Sequence, residues 1–315
     1  RRSTGRKEPL RYFLVSPVDG LLELKNPVLS AAGTFGSGLE YRPYGDITQL
    51  GGIITNGLTL HPCAGAPMPR VAETPGGMLS AVGTQNDGAE HFVNVVLPEL
   101  PWQEVPVIPN LNASNVDEFS DLAAVFAEER GVAALEVNLS CHNDHRGGQL
   151  FCQNPVTAAR AVNAVKRSAG SKPVIAKLSP QIMDIVEVAK AVEAAGADII
   201  SCIGMVQGMA VDVVTRRPML GSIMGGLSGP AVKPLALRCV WEISRVVEVP
   251  VIGVGGVRSA RDVLEFMLAG ASAVAVGTAN FSDPGTIFRI VRELPALCEE
   301  LGIDDLEAFR GSLKA

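Results

Sequence analysis

Eight short runs of apolar and β-branched residues recur along this chain, and segments with helical spacing lie between most of them. Several runs are continuously apolar, which is typical of parallel strands that are covered on both faces. The segments between them repeat apolar residues three or four positions apart, and several open with Asn, Asp or Pro, as helices do. The predicted strands are 26–33, 51–58, 105–112, 133–140, 172–179, 197–204, 249–256 and 272–278, and the predicted helices are 115–130, 155–168, 184–195, 232–247, 259–269 and 284–301.

This alternation predicts an α/β fold of the (β/α)8 TIM-barrel type. A doubly wound sheet usually has fewer strands and a glycine-rich first turn. We expect residues 1–315 to form one barrel domain, with residues 1–20 as an N-terminal extension. Long loops are predicted after strands 2, 4 and 6, on the side where barrel enzymes place their sites. The loops 59–87 and 205–231 are the longest, and the alternation over 209–214 followed by Pro218 predicts a small hairpin over the barrel mouth.

Charge and hydropathy exclude two classes of partner. The formal net charge is −6 and the basic residues are scattered, whereas binding to nucleic acid needs a basic stripe. No apolar stretch reaches the roughly 18 residues that a membrane span requires, and the basic start is not followed by a signal-peptide core. We therefore expect a cytoplasmic protein with neither a nucleic-acid nor a membrane partner, whose six cysteines are free thiols.

Glycines cluster at the ends of the seventh and eighth predicted strands. Glycine lets backbone N–H groups approach an anion, and the helix N-terminus that follows favours negative charge. The pattern predicts a phosphate site, although tight turns without a ligand would need the same residues, and phosphosugar enzymes use the same end of the barrel. The glycine segments are Gly225-Gly226-Leu227-Ser228-Gly229, Gly253-Val254-Gly255-Gly256 and Gly277-Thr278.

The fourth predicted strand leads into a polar loop that contains Cys141. An accessible thiol of lowered pKa serves as a general base or nucleophile, and Asn138 and Asn143 are suited to bind a planar, amide-rich ring. A buried structural cysteine is the alternative. A zinc site is disfavoured because the ligand spacing does not match structural zinc sites, so we predict no metal and expect Cys152 to be an apolar filler. The residues considered for zinc are Cys141, His142, His145 and Cys152.

Lys177 lies inside an otherwise apolar predicted strand. An unpaired ammonium group is costly there, so the residue needs an anionic partner. A reduced flavin, with negative charge on its pyrimidine edge, is one candidate. Glu136 on the neighbouring strand is the other.

These motifs together resemble the dihydroorotate dehydrogenases that use a cysteine base, especially the class that partners an iron–sulfur flavoprotein. The resemblance runs from about residue 26 to residue 281. The segments that carry it are Asn26-Pro27-Val28, Ala32-Gly33-Thr34-Phe35-Gly36, Pro69-Arg70-Val71-Ala72-Glu73-Thr74-Pro75, Asn138-Leu139-Ser140-Cys141, Lys177-Leu178-Ser179-Pro180, Gly208-Met209-Ala210-Val211-Asp212, Thr215-Arg216-Arg217-Pro218, Gly225-Gly226-Leu227-Ser228-Gly229-Pro230 and Val276-Gly277-Thr278-Ala279-Asn280-Phe281.

The resemblance implies an FMN-dependent oxidoreductase of pyrimidine biosynthesis that oxidises dihydroorotate to orotate or acts on a related cyclic amide. It places the base on Cys141, with Lys177 as the second catalytic residue. It implies a homodimer and an iron–sulfur/FAD electron-transfer subunit. The cofactor positions fall on Ala32, Gly33, Asn56, Asn110, Asn138, Lys177, Ile203, Gly229, Gly255, Gly256, Gly277 and Thr278.

The substrate positions depart from the family pattern. The family has lysine at the position of Asn56, asparagine at Ser80 and leucine at Thr84, and it has Asn followed by Ser or Thr where this chain has Gly204 and Met205. Each buried polar partner left unpaired costs about 1–3 kcal/mol. An FMN-binding paralogue or binding subunit without dihydroorotate activity is therefore the alternative, and a phosphosugar lyase or isomerase is a third hypothesis. The expected substrate positions are Asn56, Ser80, Gly83, Thr84, Asn138, Asn143, Gly204 and Met205.

Overall fold

The computed structural model describes residues 12–15, 21–140, 151–182 and 184–314. Its strands are β1 (Tyr12–Val15), β2 (Leu21–Leu24), β3 (Val28–Ser30), β4 (Ile53–Leu58), β5 (Val71–Thr74), β6 (Gly77–Ser80), β7 (Val107–Leu111), β8 (Leu135–Asn138), β9 (Val174–Leu178), β10 (Ile199–Cys202), β11 (Val206–Met209), β12 (Val211–Asp212), β13 (Arg217–Pro218), β14 (Met224–Ser228), β15 (Val251–Val254) and β16 (Ala273–Val276). Its helices are α1 (Ala89–His91), α2 (Val116–Phe126), α3 (Pro155–Ser168), α4 (Ile185–Ala194), α5 (Lys233–Ser244), α6 (Ala260–Leu268), α7 (Ala279–Ser282), α8 (Thr286–Glu300) and α9 (Leu306–Phe309).

Eight parallel strands form the barrel, in the order β3-β16-β15-β10-β9-β8-β7-β4. The ring closes between β3 and β4, where the Ser30 amide donates to the Gly52 carbonyl at 3.1 Å and the Ser30 hydroxyl donates to the Ile54 carbonyl at 3.1 Å. Most barrel strands are buried along their whole length, which explains their continuous apolar runs. The predicted TIM barrel is confirmed.

The helices α2 to α6 and α8 match the predicted helical segments. Side chains at their N-termini satisfy backbone donors that have no partner within the helix. Asn115 accepts from the Glu118 amide at 2.9 Å, and Ser259 and Asp262 form a capping box at α6. Because each of these helices follows a strand, their N-termini lie at the carboxyl ends of the strands.

The two longest loops build a second, four-stranded antiparallel sheet, in the order β11-β14-β6-β5. One face of this small sheet packs on its own apolar cluster of Ala72, Leu79, Ala81 and Leu220. The predicted hairpin within 205–231 is confirmed, because β12 pairs with β13. The pairing of β14 with β6, which joins the two loops, was not predicted.

The start of the chain contains a further element. Strand β1 pairs antiparallel with β2, so part of the predicted extension 1–20 belongs to a hairpin. In the described part of the chain, no helix is long and apolar enough to cross a membrane.

Candidate active site

Four polar residues meet at the carboxyl ends of β7, β8 and β9. Strand register places Asn110 opposite Glu136 and Asn138 opposite Lys177. The Asn110 side chain donates to Glu136 Oε2 at 2.5 Å, and the Asn138 amide group donates to Asn110 Oδ1 at 3.3 Å. These contacts, with the Lys177–Glu136 ion pair, make a connected polar cluster in a barrel whose strands are mostly apolar.

Lys177 and Glu136 are both buried, with side-chain exposures of 8% and 0%. Their charged atoms, Nζ and Oε1, lie 3.7 Å apart, which is an ion pair but too long for a hydrogen bond. Lys177 is therefore paired with Glu136 on the neighbouring strand, one of the two anionic partners that the sequence analysis proposed. Its ammonium group has three donors, so it retains the capacity to bind a further acceptor at the barrel mouth.

Glycines from three loops converge at the ends of β14, β15 and β16. Gly229, Gly255 and Gly256 have φ of 99°, 132° and 75°, which side chains rarely adopt. A Cβ on Gly256 would lie 2.7 Å from the Lys233 Cβ and 3.0 Å from the Gly229 carbonyl oxygen. These backbones therefore approach as only glycine permits, and the helices α5 and α6 begin shortly afterwards.

Ile203 and Thr278 lie beside the same glycines. The Ile203 Cγ1 would be 3.5 Å from a Cβ on Gly255, and the Thr278 Cγ2 would be 3.5 Å from a Cβ on Gly229. Gly33, in the turn after β3 next to Ala32, faces open space, since a Cβ there would meet no atom within 4 Å. Gly277 is close to this turn, because its Cβ would lie 3.4 Å from the Ala31 Cβ.

The expected substrate residues Ser80 and Met205 contact each other. The Ser80 hydroxyl lies 3.4 Å from Met205 Sδ, and the Met205 side chain covers Gly226, where a Cβ would come within 2.5 Å of it. Gly204 lies against Ser140, because a Cβ at Gly204 would be 2.3 Å from Ser140 Oγ. The small sheet therefore contacts the segment that follows β10, and that segment packs against Ser140, which follows β8.

Thr84 and Asn56 approach the mouth from the second barrel unit. The Asn112 side chain donates to Thr84 Oγ1 at 2.8 Å, and a Cβ on Gly57 would lie 3.0 Å from Thr84 Cγ2. Asn56, on β4, has a buried side-chain oxygen that accepts no hydrogen bond from the described residues. Gly83 packs on Ala66, since a Cβ on Gly83 would be 2.5 Å from the Ala66 nitrogen.

The predicted base lies outside the described residues, as do the other residues of its loop, Asn143, His142 and His145. Cys152, which follows that loop, is 1% exposed. Burial raises the pKa of its thiol to about 12, and its sulfur accepts a hydrogen bond from the Ser179 amide at 3.2 Å. Cys152 is the structural filler that the sequence predicted, and within the described residues no group of His, Cys, Asp and Glu side chains is arranged to hold a metal ion.

Comparison with known proteins identifies the family. The family model described as dihydroorotate dehydrogenase matches residues 18–298. The chain belongs to the dihydroorotate dehydrogenase family. A relative in Solidesulfovibrio magneticus is 56% identical over 93% of this chain and 96% of its own length. Relatives in Maridesulfovibrio salexigens and Geotalea daltonii are 54% and 50% identical, again over 93% of this chain and 96% of their own length. All three are named dihydroorotate dehydrogenase B (NAD(+)), catalytic subunit.

Members of the dihydroorotate dehydrogenase family bind FMN, and the residues of this site fit that cofactor. The glycine cradle beside α5 and α6 suits a phosphate. Gly33 borders open space at the mouth, and the buried Lys177 is available to an electron-rich ring edge. The unpaired oxygen of Asn56 can accept from a ring N–H.

We expect Gly256→Ala to weaken FMN binding about tenfold or more, because the methyl group would displace Lys233 or Gly229 and so distort the cradle. The dissociation constant of FMN, measured by fluorescence titration, reports this effect. Gly302→Ala is the matched control: Gly302 has φ of 67° and no atom within 4 Å of its Cβ position, so it carries the backbone strain without the clash. An unchanged FMN affinity in Gly256→Ala would contradict the assignment of this cradle.

Two polar residues of this site were missed from the sequence. Asn112 binds Thr84, and its position two residues beyond Asn110 on a strand was the available signal, because alternate residues share a face. Ser201 lies opposite Lys177 in the barrel register, and its buried hydroxyl has no hydrogen-bond partner among the described residues. A lone serine in an apolar strand gave no signal that separates it from ordinary core packing.

Proposed function

We infer that this chain is an FMN-dependent oxidoreductase that oxidises the CH–CH bond of dihydroorotate or a related cyclic amide. The observation that supports this most directly is the polar cluster of the buried Lys177, Glu136 and Asn110 with the half-buried Asn138, which lies at the mouth of a barrel with a glycine cradle. Family membership and the names of the relatives point to the same reaction.

The proposed mechanism assigns separate tasks to the residues of the mouth. FMN, when bound, supplies an acceptor for the hydride. Cys141 removes the proton from the carbon next to the ring carbonyl while the hydride leaves the neighbouring carbon, and holding both acceptors against the substrate is what the site contributes. Lys177, which is paired with Glu136, would hold the pyrimidine edge of the flavin through its ammonium group. Asn110 and Asn138 would orient the amide groups of the bound rings through directional hydrogen bonds.

The proposed binding residues follow from these tasks. Ala32 and Gly33 would border the ring, and the phosphate would bind the converging glycines and Thr278. The substrate would lie between the ring and the small sheet. The residues that we propose for the cofactor are Ala32, Gly33, Asn56, Asn110, Asn138, Lys177, Ile203, Gly229, Gly255, Gly256, Gly277 and Thr278, and those for the substrate are Asn56, Ser80, Gly83, Thr84, Asn138, Asn143, Gly204 and Met205.

Flavin reduction tests this function. Purified protein is expected to be yellow and to bleach under anaerobic conditions when dihydroorotate or a related dihydropyrimidine is added. Dithionite serves as the control for a reducible flavin. If dithionite bleaches the flavin but saturating dihydropyrimidines do not, the oxidoreductase assignment fails and the chain is an FMN-binding protein without this activity.

We also propose that the chain forms a homodimer and works with an iron–sulfur/FAD subunit that passes electrons to NAD. The relatives are named as catalytic subunits of an NAD(+) enzyme, which supports the second subunit. An exposed apolar hairpin supports the dimer. Its valines Val211, Val213 and Val214 are 55%, 86% and 87% exposed, and a second copy would present the same uncharged side chains.

We expect Val213→Glu/Val214→Glu to convert the dimer into a monomer, because paired copies would then bury like charges. Light scattering after gel filtration measures the change. Val156→Glu is a suitable control, because Val156 is a 65% exposed valine on α3, away from the hairpin. A wild-type protein that is monomeric at all concentrations would contradict the dimer.

A further inference from the structure

A lysine stands at the start of α5, directly against the glycine cradle. Lys233 is the first residue of that helix, and a Cβ on Gly256 would lie 2.7 Å from the Lys233 Cβ and 3.0 Å from its backbone nitrogen. A positive charge in the first turn of a helix is unfavourable, because the helix dipole already makes that end positive. Lys233 therefore needs partners that offset this cost.

Two carboxylates of α6 are these partners. Lys233 Nζ donates to Asp262 Oδ1 at 2.6 Å and to Glu265 Oε2 at 2.7 Å. The side chains of Lys233 and Asp262 are 25% and 12% exposed, so solvent screens their attraction only in part. Burial lowers the pKa of Lys233, but the two hydrogen bonds outweigh that effect and the pKa lies above its usual value. Lys233 is thus a charged link between α5 and α6.

Asp262 also fixes the segment that leads from the cradle into α6. Its Oδ2 accepts from the Arg258 amide at 2.8 Å and from the Ser259 amide at 2.9 Å. These two donors lie just beyond Gly255 and Gly256 in the chain. The carboxylate therefore orders the backbone there, but it also places a negative charge at a helix end that would otherwise favour an anion. The ammonium group of Lys233 offsets that charge.

We propose that Lys233 is a positioning residue for the phosphate of the flavin. It holds α5 and α6 together around Gly255 and Gly256, and it offsets the carboxylates that would otherwise repel a phosphate. The inference rests on the phosphate site proposed above and deepens it, because it names a group behind the glycines that sets their affinity for an anion. Two of the three ammonium donors already bind carboxylates, so Lys233 acts through the backbone and through its charge.

Comparison of FMN with riboflavin tests the proposal, because these two flavins differ only in the phosphate. The flavin-free protein is titrated with each flavin by fluorescence, and the readout is the ratio of the two dissociation constants. Lys233→Met is expected to weaken FMN binding about tenfold or more and to change riboflavin binding by less than about twofold. A merely structural role would weaken the binding of both flavins alike, so an unchanged ratio overturns the proposal.

A milder substitution covers the case in which Lys233→Met does not fold. Lys233→Gln keeps a hydrogen-bond donor but removes the charge, and it is expected to lower the preference for FMN over riboflavin in the same direction. An unchanged preference in this variant overturns the proposal equally.

The ion pair of Lys166 with Asp198 provides a matched control. Its Nζ–Oδ2 distance is also 2.6 Å, with side-chain exposures of 38% and 14%, and Asp198 accepts from the Val174 amide at 2.7 Å. It joins α3 to the amino ends of β9 and β10, at the opposite end of the barrel from the cradle. Lys166→Met is expected to destabilise the protein to a similar extent in urea unfolding and to leave the flavin ratio unchanged. A fall in the preference for FMN as large as that in Lys233→Met overturns the proposal.

The wild-type protein separates this role from the proposed function. If it binds riboflavin as tightly as FMN, the cradle does not bind a phosphate and the role of Lys233 is overturned. The titrations need no substrate, so a flavin that dithionite bleaches and dihydroorotate does not would overturn the oxidoreductase assignment alone. The ratio of the two flavins would still decide the role of Lys233.

Discussion

Lys177→Met is expected to destabilise the protein and to slow flavin reduction. The substitution leaves Glu136, whose side chain is 0% exposed, as a buried carboxylate without a counter-ion, which costs about 3–5 kcal/mol. It also removes the ammonium group that we propose to face the reduced flavin, so the reduction rate should fall about 100-fold, which corresponds to about 2.7 kcal/mol. Urea unfolding and anaerobic stopped-flow measure the two effects.

The double variant Glu136→Gln/Lys177→Met separates stability from chemistry. Both charges are then absent, and glutamine can still accept the hydrogen bond from Asn110, so most of the lost stability should return. Flavin reduction should remain slow, and the midpoint potential of the flavin should stay lower than in the wild type, because an ammonium group stabilises the anionic reduced form. For a two-electron couple about 30 mV corresponds to 1.4 kcal/mol. Recovery of the wild-type rate in the double variant would exclude Lys177 from the chemistry.

Cys141→Ser is expected to reduce the rate of substrate oxidation by about 10²–10⁴-fold while FMN binding stays normal. A serine hydroxyl is a far weaker acid than a thiol, so the fraction present as the basic anion becomes negligible near neutral pH. The wild-type rate should rise with pH until the thiol is ionised. Stopped-flow flavin reduction between pH 6 and about pH 10 measures both the loss and the profile.

Cys298→Ser is the control for this substitution, because Cys298 is a buried thiol in α8, on the outer layer of the barrel. It is expected to retain the wild-type rate and pH profile. If Cys141→Ser oxidised substrate at the wild-type rate, the base would have to be another group.

Local sequence signals predicted the barrel well. The apolar strands are covered on both faces, so each carries its own signal, and the helix starts at Asn115, Asp184 and Ser259 are marked by capping residues within a few positions. The glycines at the phosphate end could also be recognised, because positive φ and close approach both require that residue. These features depend on short stretches of chain.

The features that the sequence did not reveal depend on contacts between distant segments. Strand β14 pairs with β6, although about 150 residues separate Ser228 from Met78, whose carbonyl its hydroxyl contacts. The contact of Ser80 with Met205 follows from that pairing, so neither residue could be placed beside the other from its neighbours in sequence. The Asn112–Thr84 hydrogen bond was missed for the same reason. Thr84 adopts a positive φ of 56°, which the presence of a threonine does not predict.

The small sheet packs independently of the barrel whose mouth it contacts. Residues of the barrel strands that would hold the cofactor lie in a packed interior, where substitutions are costly. The small sheet has its own small apolar cluster. Substitutions in the small sheet can therefore change which substrate binds without disturbing the barrel residues that would hold the cofactor. Such a division offers evolution a route to new substrates through a few exchanges, and it gives protein engineers a compact region in which to vary them.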